Sequence, residues 1–348
     1  APPMLLGFVD EPEAPQHLQP YFFPSKVGGK PAWLDPLRLP AAPGLCCPEC
    51  GDPLAFLLQI YASLDERDDA FHRSLFLFIC RRGACLRAGT HGSIRILRAQ
   101  LPRENPYYSF YPPQETEARA AEGKVPHAGA KQCTVCGLLG GSKCGRCGDV
   151  TYCSLAHQKL DWACHKTICS PLAATPAAAA APAAAAAPAV AAAKEGAPAF
   201  PEFEVVIDNE PDVEAALAIS DAKTRKHEEK LLAQYRVDTA AEADSDDELG
   251  DGADIEERQD EAFSDFQRRV SVEPEQCVRY CRHGTSAPLW ISRECQPEKV
   301  PPCARCGAPR WFEFQVMPQL LTHLDIDALD KDSLDWGTIA VYTCSTSC

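Results

Sequence analysis

No catalytic constellation is legible in this chain. It lacks a Walker-type lysine, an H-E-x-x-H helix, a Ser/His/Asp elbow and a carboxylate pair tied to a pocket, which argues against the common hydrolytic and nucleotide-dependent classes. Gly28 and Gly29 in KVGGKPAWLDP read as a turn, because no Lys-Ser/Thr pair and no helical pattern follows them to make a phosphate loop. A secretory leader is missing too: APPMLLGFVDEPEAP offers a short apolar patch, no basic flank, and acids at Asp10, Glu11 and Glu13. The one long apolar run, SPLAATPAAAAAPAAAAAPAVAAAKEGAP, is alanine, which contributes little transfer energy, and Pro176, Pro182 and Pro188 interrupt it. It reads as a semi-stiff spacer and not as a membrane span.

What the chain has instead is cysteine, 19 in 348 residues. They fall in C-x2-C pairs accompanied by well-placed histidines, a pattern that suits thiolate ligation of metal better than a secreted disulfide framework. The expectation is a reducing compartment, cytosolic or nuclear. With 45% hydrophobic residues the chain can bury a real core, so metal is not needed merely for it to exist. Its net charge of −15 is concentrated: positions 201–266 carry 22 acidic and 6 basic residues, a balance of −16. A local acidic run reads either as a solvated spacer or as a docking site for something basic.

The most legible stretch is Cys133–Cys169, CTVCGLLGGSKCGRCGDVTYCSLAHQKLDWACHKTIC, with eight potential ligands in 37 residues. Cys133, Cys136, Cys144, Cys147, Cys153, His157, His165 and Cys169 suffice for two tetrahedral zinc sites. Further upstream, Cys47 and Cys50 form the knuckle C-P-E-C-G, with Cys46 one residue out of register. PLAFLLQIYASL and HRSLFLFIC read as buried strands around the turn DERDD. A hairpin of the two returns Cys80 and Cys85 to Cys47 and Cys50 and closes a four-thiolate zinc site.

The same unit recurs near the other end. CPECGDPLAFLLQIYASL from Cys47 aligns without gaps on CARCGAPRWFEFQVMPQL from Cys303, at an offset of 256 residues. PAWL upstream corresponds to PLWI, and Cys80 and Cys85 correspond to Cys344 and Cys348. With Cys303 and Cys306 these make a fourth zinc site. A small β unit rarely buries both faces alone, so the expected fold is α+β, β-rich: a pseudo-symmetric duplicated β domain from residues 25–112 and 270–348. The rest is expected as a flexible N-terminus (1–24), the double-zinc module (133–169), an Ala/Pro linker (170–200) and an acidic linker with helical segments (201–266). Within the last, Ile255, Phe263, Phe266 and Val270 share a helical face, read as docking onto the parent domain. The alternative is two independent beads. Cys46, Cys164, Cys277, Cys281 and Cys295 read as buried or spare thiols.

Beyond its ligands, the central stretch has Tyr152, Gln158, Asp161, Trp162 and Lys166 where the MYND-type zinc finger has them, with His157 at a position where many members carry Cys. The resemblance implies a cross-braced pairing, Cys133, Cys136, Cys153 and His157 on one ion and Cys144, Cys147, His165 and Cys169 on the other, with Cys164 spare. It also implies that Gln158 and Trp162 help form a groove for Pro-rich peptides. More widely, FPSKVGGKPAWL, LPRENPYYSFYPP, FPEFEVVI, VEPEQCVRY, FEFQVMPQLL and DWGTIAVYTC resemble the programmed cell death protein 2 family over the whole chain except the alanine spacer. That resemblance implies a protein of cytoplasm and nucleus together, a chaperone for universal small-subunit ribosomal protein five in ribosome biogenesis, with links to apoptosis, proliferation and transcriptional regulators.

Together these readings make a non-enzymatic protein whose closed, thiolate-rich sites are structural. The Asn-His-Ser/Cys and Gly-x-Gly signatures of MYND-containing methyltransferases are absent. Two roles stand: an escort whose β domain holds a basic ribosomal client with help from Asp244, Asp246, Asp247, Glu248 and Asp251, or a MYND adaptor bridging transcriptional regulators. Ser245 in SDDEL, with its downstream acids, is a candidate for phosphorylation. Lys131, Lys143, Arg146, Lys159 and Lys166 form a modest basic face without an aromatic ladder, so nucleic acid is not an expected partner, and neither is a membrane.

Overall fold

Residues 3–87, 91–114, 131–170, 199–219, 260–294, 296–324, 326 and 333–348 are described by the computed structural model. Strands form where β-branched, aromatic and leucine residues cluster. In the first half these are β2 (Lys26–Val27), β3 (Ala55–Tyr61), β4 (His72–Ile79) and β5 (Ile94–Leu101). β3 and β4 pair antiparallel from Ala55 opposite Ile79 to Tyr61 opposite Ser74, the hairpin expected around DERDD. Every residue of β4 is buried, because both of its faces are covered. Leu75, Leu77 and Ile79 enter the main core, whereas Phe76 and Phe78 pack with Trp33, Leu54 and Phe56 in a second one.

The other half supplies β9 (Val278–Tyr280), β10 (Arg310–Val316) and β11 (Ile339–Cys344). Two segments remain, β1 (Leu5–Asp10) and β8 (Phe203–Asn209), which pair antiparallel over six residues. All of these belong to one sheet of nine strands in the order β11-β10-β9-β1-β8-β2-β3-β4-β5. The main core likewise takes residues from both halves, among them Leu58, Ile60 and Leu77 with Val278, Phe314 and Val341.

This corrects two expectations. The segment 1–24, read as flexible, contains the central strand β1, and the acidic linker 201–266 begins with its partner β8. Gly7 allows the close approach: a Cβ there would stand 2.9 Å from Val205 Cγ1 and 3.0 Å from Val278 Cβ. The Ala/Pro linker from 171 to 198 lies outside the described residues, as does the acidic stretch 220–259. The helical face is only partly inside them. Helix α3 (Glu261–Val270), capped by Asp260, sets Phe266 and Val270 against Leu289, Ile291 and Met317, while Phe263 is exposed and Ile255 is not described.

The sheet curls until its edges nearly meet. Arg98 on β5 donates to the Cys348 carbonyl, and Ser347 Oγ donates to Gln100 Oε1 at 3.1 Å. Arg73 on β4 reaches Glu313 on β10 with two hydrogen bonds, 2.7 and 2.8 Å, both side chains fully buried. Matching details recur in the two halves. A register shift separates Phe56 from Leu58 and Phe312 from Phe314. Gln59 accepts from Ala32 N at 2.8 Å and donates to Pro24 O at 2.9 Å; Gln315 accepts from Leu289 N at 2.6 Å and donates to Leu289 O at 2.9 Å. Among the described residues no helix is long and apolar enough to cross a membrane.

Candidate metal centres

Each centre is built on a C-x2-C-G knuckle. Gly51, Gly137, Gly148 and Gly307 take φ values of 77°, 72°, 72° and 75°, a left-handed conformation that costs glycine nothing. That turn lets the glycine N–H donate to the first cysteine's carbonyl at 2.8–2.9 Å in all four knuckles. Backbone amides then converge on the first sulfur. N–H groups of Cys147 and Arg146 pull the Cys144 thiol down to about 6, and those of Arg305 and Cys306 lower Cys303. Thiolate is the form that binds metal, so the knuckle favours the ligand before any ion arrives.

Four groups of side chains result, each with its ligand atoms within 4.8 Å of one another: Cys47, Cys50, Cys80 and Cys85; Cys133, Cys136, Cys153 and His157; Cys144, Cys147, His165 and Cys169; Cys303, Cys306, Cys344 and Cys348. These are the groupings expected from spacing, repeat and resemblance. Cys46, Cys164, Cys277 and Cys281 stand outside them, and Cys295 is not described. The donor chemistry fits zinc. Sulfurs about 2.3 Å from a tetrahedral ion stand about 3.8 Å apart. The spacings are 3.7 Å for Cys50–Cys80, 3.6 Å for Cys136–Cys153, 3.9 Å for Cys144–Cys169, and 3.5 Å for both Cys303–Cys348 and Cys306–Cys344. Each group has four protein donors and leaves no position for a reacting water, so a bound ion would staple the chain rather than catalyse.

In the finger, β6 (Ser142–Lys143) and β7 (Thr151–Tyr152) form a minimal hairpin, followed by helix α2 (Leu155–Ile168). Ser154 caps that helix by accepting from His157 N. His157 and His165 lie eight residues apart, about two turns, so one helix serves both groups, His157 through Nδ1 and His165 through Nε2. Tyr152 donates to Asp161 at 2.6 Å, and burial followed by that carboxylate pushes its phenol well above the usual range. Gln158 is half-buried. Trp162 and Leu155 are exposed and, seven residues apart, share one face of the helix with Gln158; the exposed Leu160 and Ile168 lie on the other side. Asp244, Ser245, Asp246, Asp247, Glu248 and Asp251 lie outside the described residues.

Sequence reasoning missed the Arg73–Glu313 pair. It also missed Ser93, whose hydroxyl donates to Cys85 O at 2.8 Å and lies 3.7 Å from Cys47 Sγ. A charged residue inside a strand reads locally as solvent-facing, and a lone serine carries no spacing signal.

Comparison with known proteins places this geometry in a family context. A profile for the N-terminal domain of programmed cell death protein 2 matches residues 3–115, one for the C-terminal domain matches 260–348, and one for the MYND finger matches 133–169. Programmed cell death protein 2 of Bos taurus is 42% identical over 355 residues, covering 100% of this chain and 93% of that protein. The Mus musculus protein of the same name is 41% identical over 99% of this chain and 92% of its own length. A Schizosaccharomyces pombe protein named "Probable 20S rRNA accumulation protein 4" is 35% identical over 101 residues, 26% of this chain and 24% of its own. No solved structure matches the chain significantly.

Proposed function

The chain belongs to the programmed cell death protein 2 family, and from that premise we propose that it is a zinc-stapled escort for a basic small-subunit ribosomal protein. The client is universal small-subunit protein five, held by the β domain during ribosome biogenesis in cytoplasm and nucleus. The observation that carries this reading is the concentration of charge, −16 within 201–266 against −15 for the whole chain. A free ribosomal protein is strongly basic, and a flanking acidic segment occupies those charges until assembly and speeds encounter. The printed name of the fission-yeast relative points to the same process. Zinc holds the scaffold: the MYND finger implies two ions, and the two four-cysteine groups take two more. The protein does no chemistry on the client.

The test is client binding across a salt series. Neutralising Asp244, Asp246, Asp247, Glu248 and Asp251 together weakens binding and flattens its dependence on salt. Affinity unchanged at every ionic strength removes this segment from the mechanism.

A specific observation favours a second reading, the MYND adaptor. Trp162 and Leu155 present exposed apolar side chains on the face of α2 that also carries Gln158. Trp162→Ala in the full chain abolishes capture of Pro-rich peptides while leaving the ribosomal client bound; loss of both together assigns the client to the finger.

A further inference from the structure

The finger is not a bead on a string. Its first knuckle is seated on the N-terminal half of the sheet, and the residue that receives it is Trp33. The indole Nε1 donates to Gly137 O at 2.8 Å in a buried contact. Leu139 N donates to Pro40 O at 2.9 Å, and Lys30 Nζ to Thr134 O at 3.3 Å. Any Cβ at Gly137 would stand 3.1 Å from Pro31 Cδ, on a backbone that already needs positive φ.

Between these polar contacts Leu138 is driven inward and is only 3% exposed. It joins a cluster with Trp33, Leu54, Phe56, Phe76 and Phe78 that also contains Cys47, Cys80 and Cys85, with Cys50 and Cys136 packed against its rim. Trp33 lies between, its ring centroid 4.4 Å from Phe76. Two separate metal groups, one in the finger and one in the sheet, therefore rest on a single apolar cluster. The position after the knuckle glycine carries the signal: it is Asp52, Asp149 and Ala308 in the other three knuckles and leucine only here.

We propose that Leu138 and Trp33 form an internal docking surface that couples zinc loading of the finger's first site (Cys133, Cys136, Cys153, His157) to the integrity of the N-terminal half-sheet and its own four-cysteine site. An ion at the first site fixes the Cys133–Leu138 turn. Without it Leu138 leaves the cluster, and the Cys47/Cys50/Cys80/Cys85 centre loses part of its apolar wall. Coupling is reciprocal, so loading the sheet site tightens the finger site by the same factor. The proposal rests on the zinc reading above and is independent of the ribosomal one.

The test uses the full-length, zinc-loaded protein. Native mass spectrometry counts ions, and hydrogen exchange follows the β3 and β4 amides during stripping with a chelator. Cys133→Ser lowers the zinc count, raises β3–β4 exchange about tenfold and speeds zinc loss from the sheet site. Leu138→Ala keeps the starting count but reproduces the faster exchange and stripping, and Trp33→Phe, which keeps a ring and deletes the donor, gives a smaller change in the same direction. Leu160→Ala, on the exposed face of α2, changes neither. Cys133→Ser losing its ion with β3–β4 exchange and sheet-zinc retention at wild-type values overturns the coupling. So does Leu138→Ala behaving like Leu160→Ala. A wild-type count with no finger ions overturns the zinc reading itself.

Discussion

Glu313 and Arg73 decide how the two halves meet. A carboxylate with no exposed surface is tolerable only when its oxygens are fully engaged. Glu313 takes the bidentate Arg73 fork, the Thr343 hydroxyl, Tyr280 Oη at 3.0 Å and Arg282 Nε at 3.2 Å. Burial pushes the Glu313 carboxyl up, but the Arg73 hydrogen bonds and charge, with Thr343 and Arg282, outweigh it and hold the group below the ordinary range. A depressed carboxyl contributes stability above its unfolded value, and that contribution is lost as pH falls through the lower folded value. Arg73→Met leaves the carboxylate buried without its main partner and costs about 3–5 kcal/mol in denaturant unfolding at pH 7. The double variant Arg73→Met with Glu313→Leu recovers most of that loss. A double variant as unstable as the single one assigns the cost to lost packing instead. The gap between wild type and Arg73→Met narrows as pH falls: first above the ordinary carboxyl range of about 4, where the variant's buried, unpaired Glu313 takes up a proton and its penalty is relieved, then below it, where the wild type loses the Glu313 contribution.

Gln59 and Gln315 do for strands what the knuckle glycines do for metal groups. Each accepts from the backbone N–H of the Trp-bearing segment, Ala32 or Leu289, and donates to a backbone carbonyl, Pro24 for Gln59 and Leu289 for Gln315. Gln59→Leu keeps the volume but orphans the buried Ala32 N–H and Pro24 carbonyl, and costs roughly 2–6 kcal/mol at about 1–3 kcal/mol per unsatisfied group. Gln315→Leu costs a similar amount, and two-state denaturation measures both; a loss under about 1 kcal/mol means that water replaces the amide. These glutamines also mark what the sequence made legible. β3, β4, β10 and β11 were readable because each is rich in aromatic and aliphatic residues and tied to a knuckle by fixed spacing, and because Gln59 and Gln315 occupy the same place in the repeat. The metal groups were readable for the same reason: thiols at C-x2-C spacing have few structural alternatives. β1 and β8 were not. LLGFVD is short, sits among prolines and acids, and finds its partner about 200 residues later, so nothing local favours a strand. The Trp33 contact was half visible, since PAWL stood out in the repeat without naming what it touches.

Duplication is our reading of the complete sheet, and its support is order. From the antiparallel pair β1–β8 at the centre, β8-β2-β3-β4 runs one way and β1-β9-β10-β11 the other, each reaching a knuckle strand with the same register shift. A duplicated unit whose copies had remained independent would keep its own core. Here Leu77 and Phe314 share one core, and Arg73 in one copy neutralises Glu313 in the other. Separate expression therefore fails in a specific way. Residues 25–112 lack β1, β8 and the partner of Arg73, and 270–348 lack β1 and leave Glu313 without Arg73. Each alone exposes the main core and aggregates, even with zinc supplied. Co-expression of 1–170 with 199–348 restores both central strands and yields a soluble 1:1 complex carrying four zinc ions, which chelation dissociates and zinc reassembles. If 25–112 and 270–348 are each monomeric, zinc-loaded and cooperatively folded alone, the halves are independent domains. Their shared core would then contribute little to stability, and the surface for any partner of the β domain would have to be sought on one half by itself.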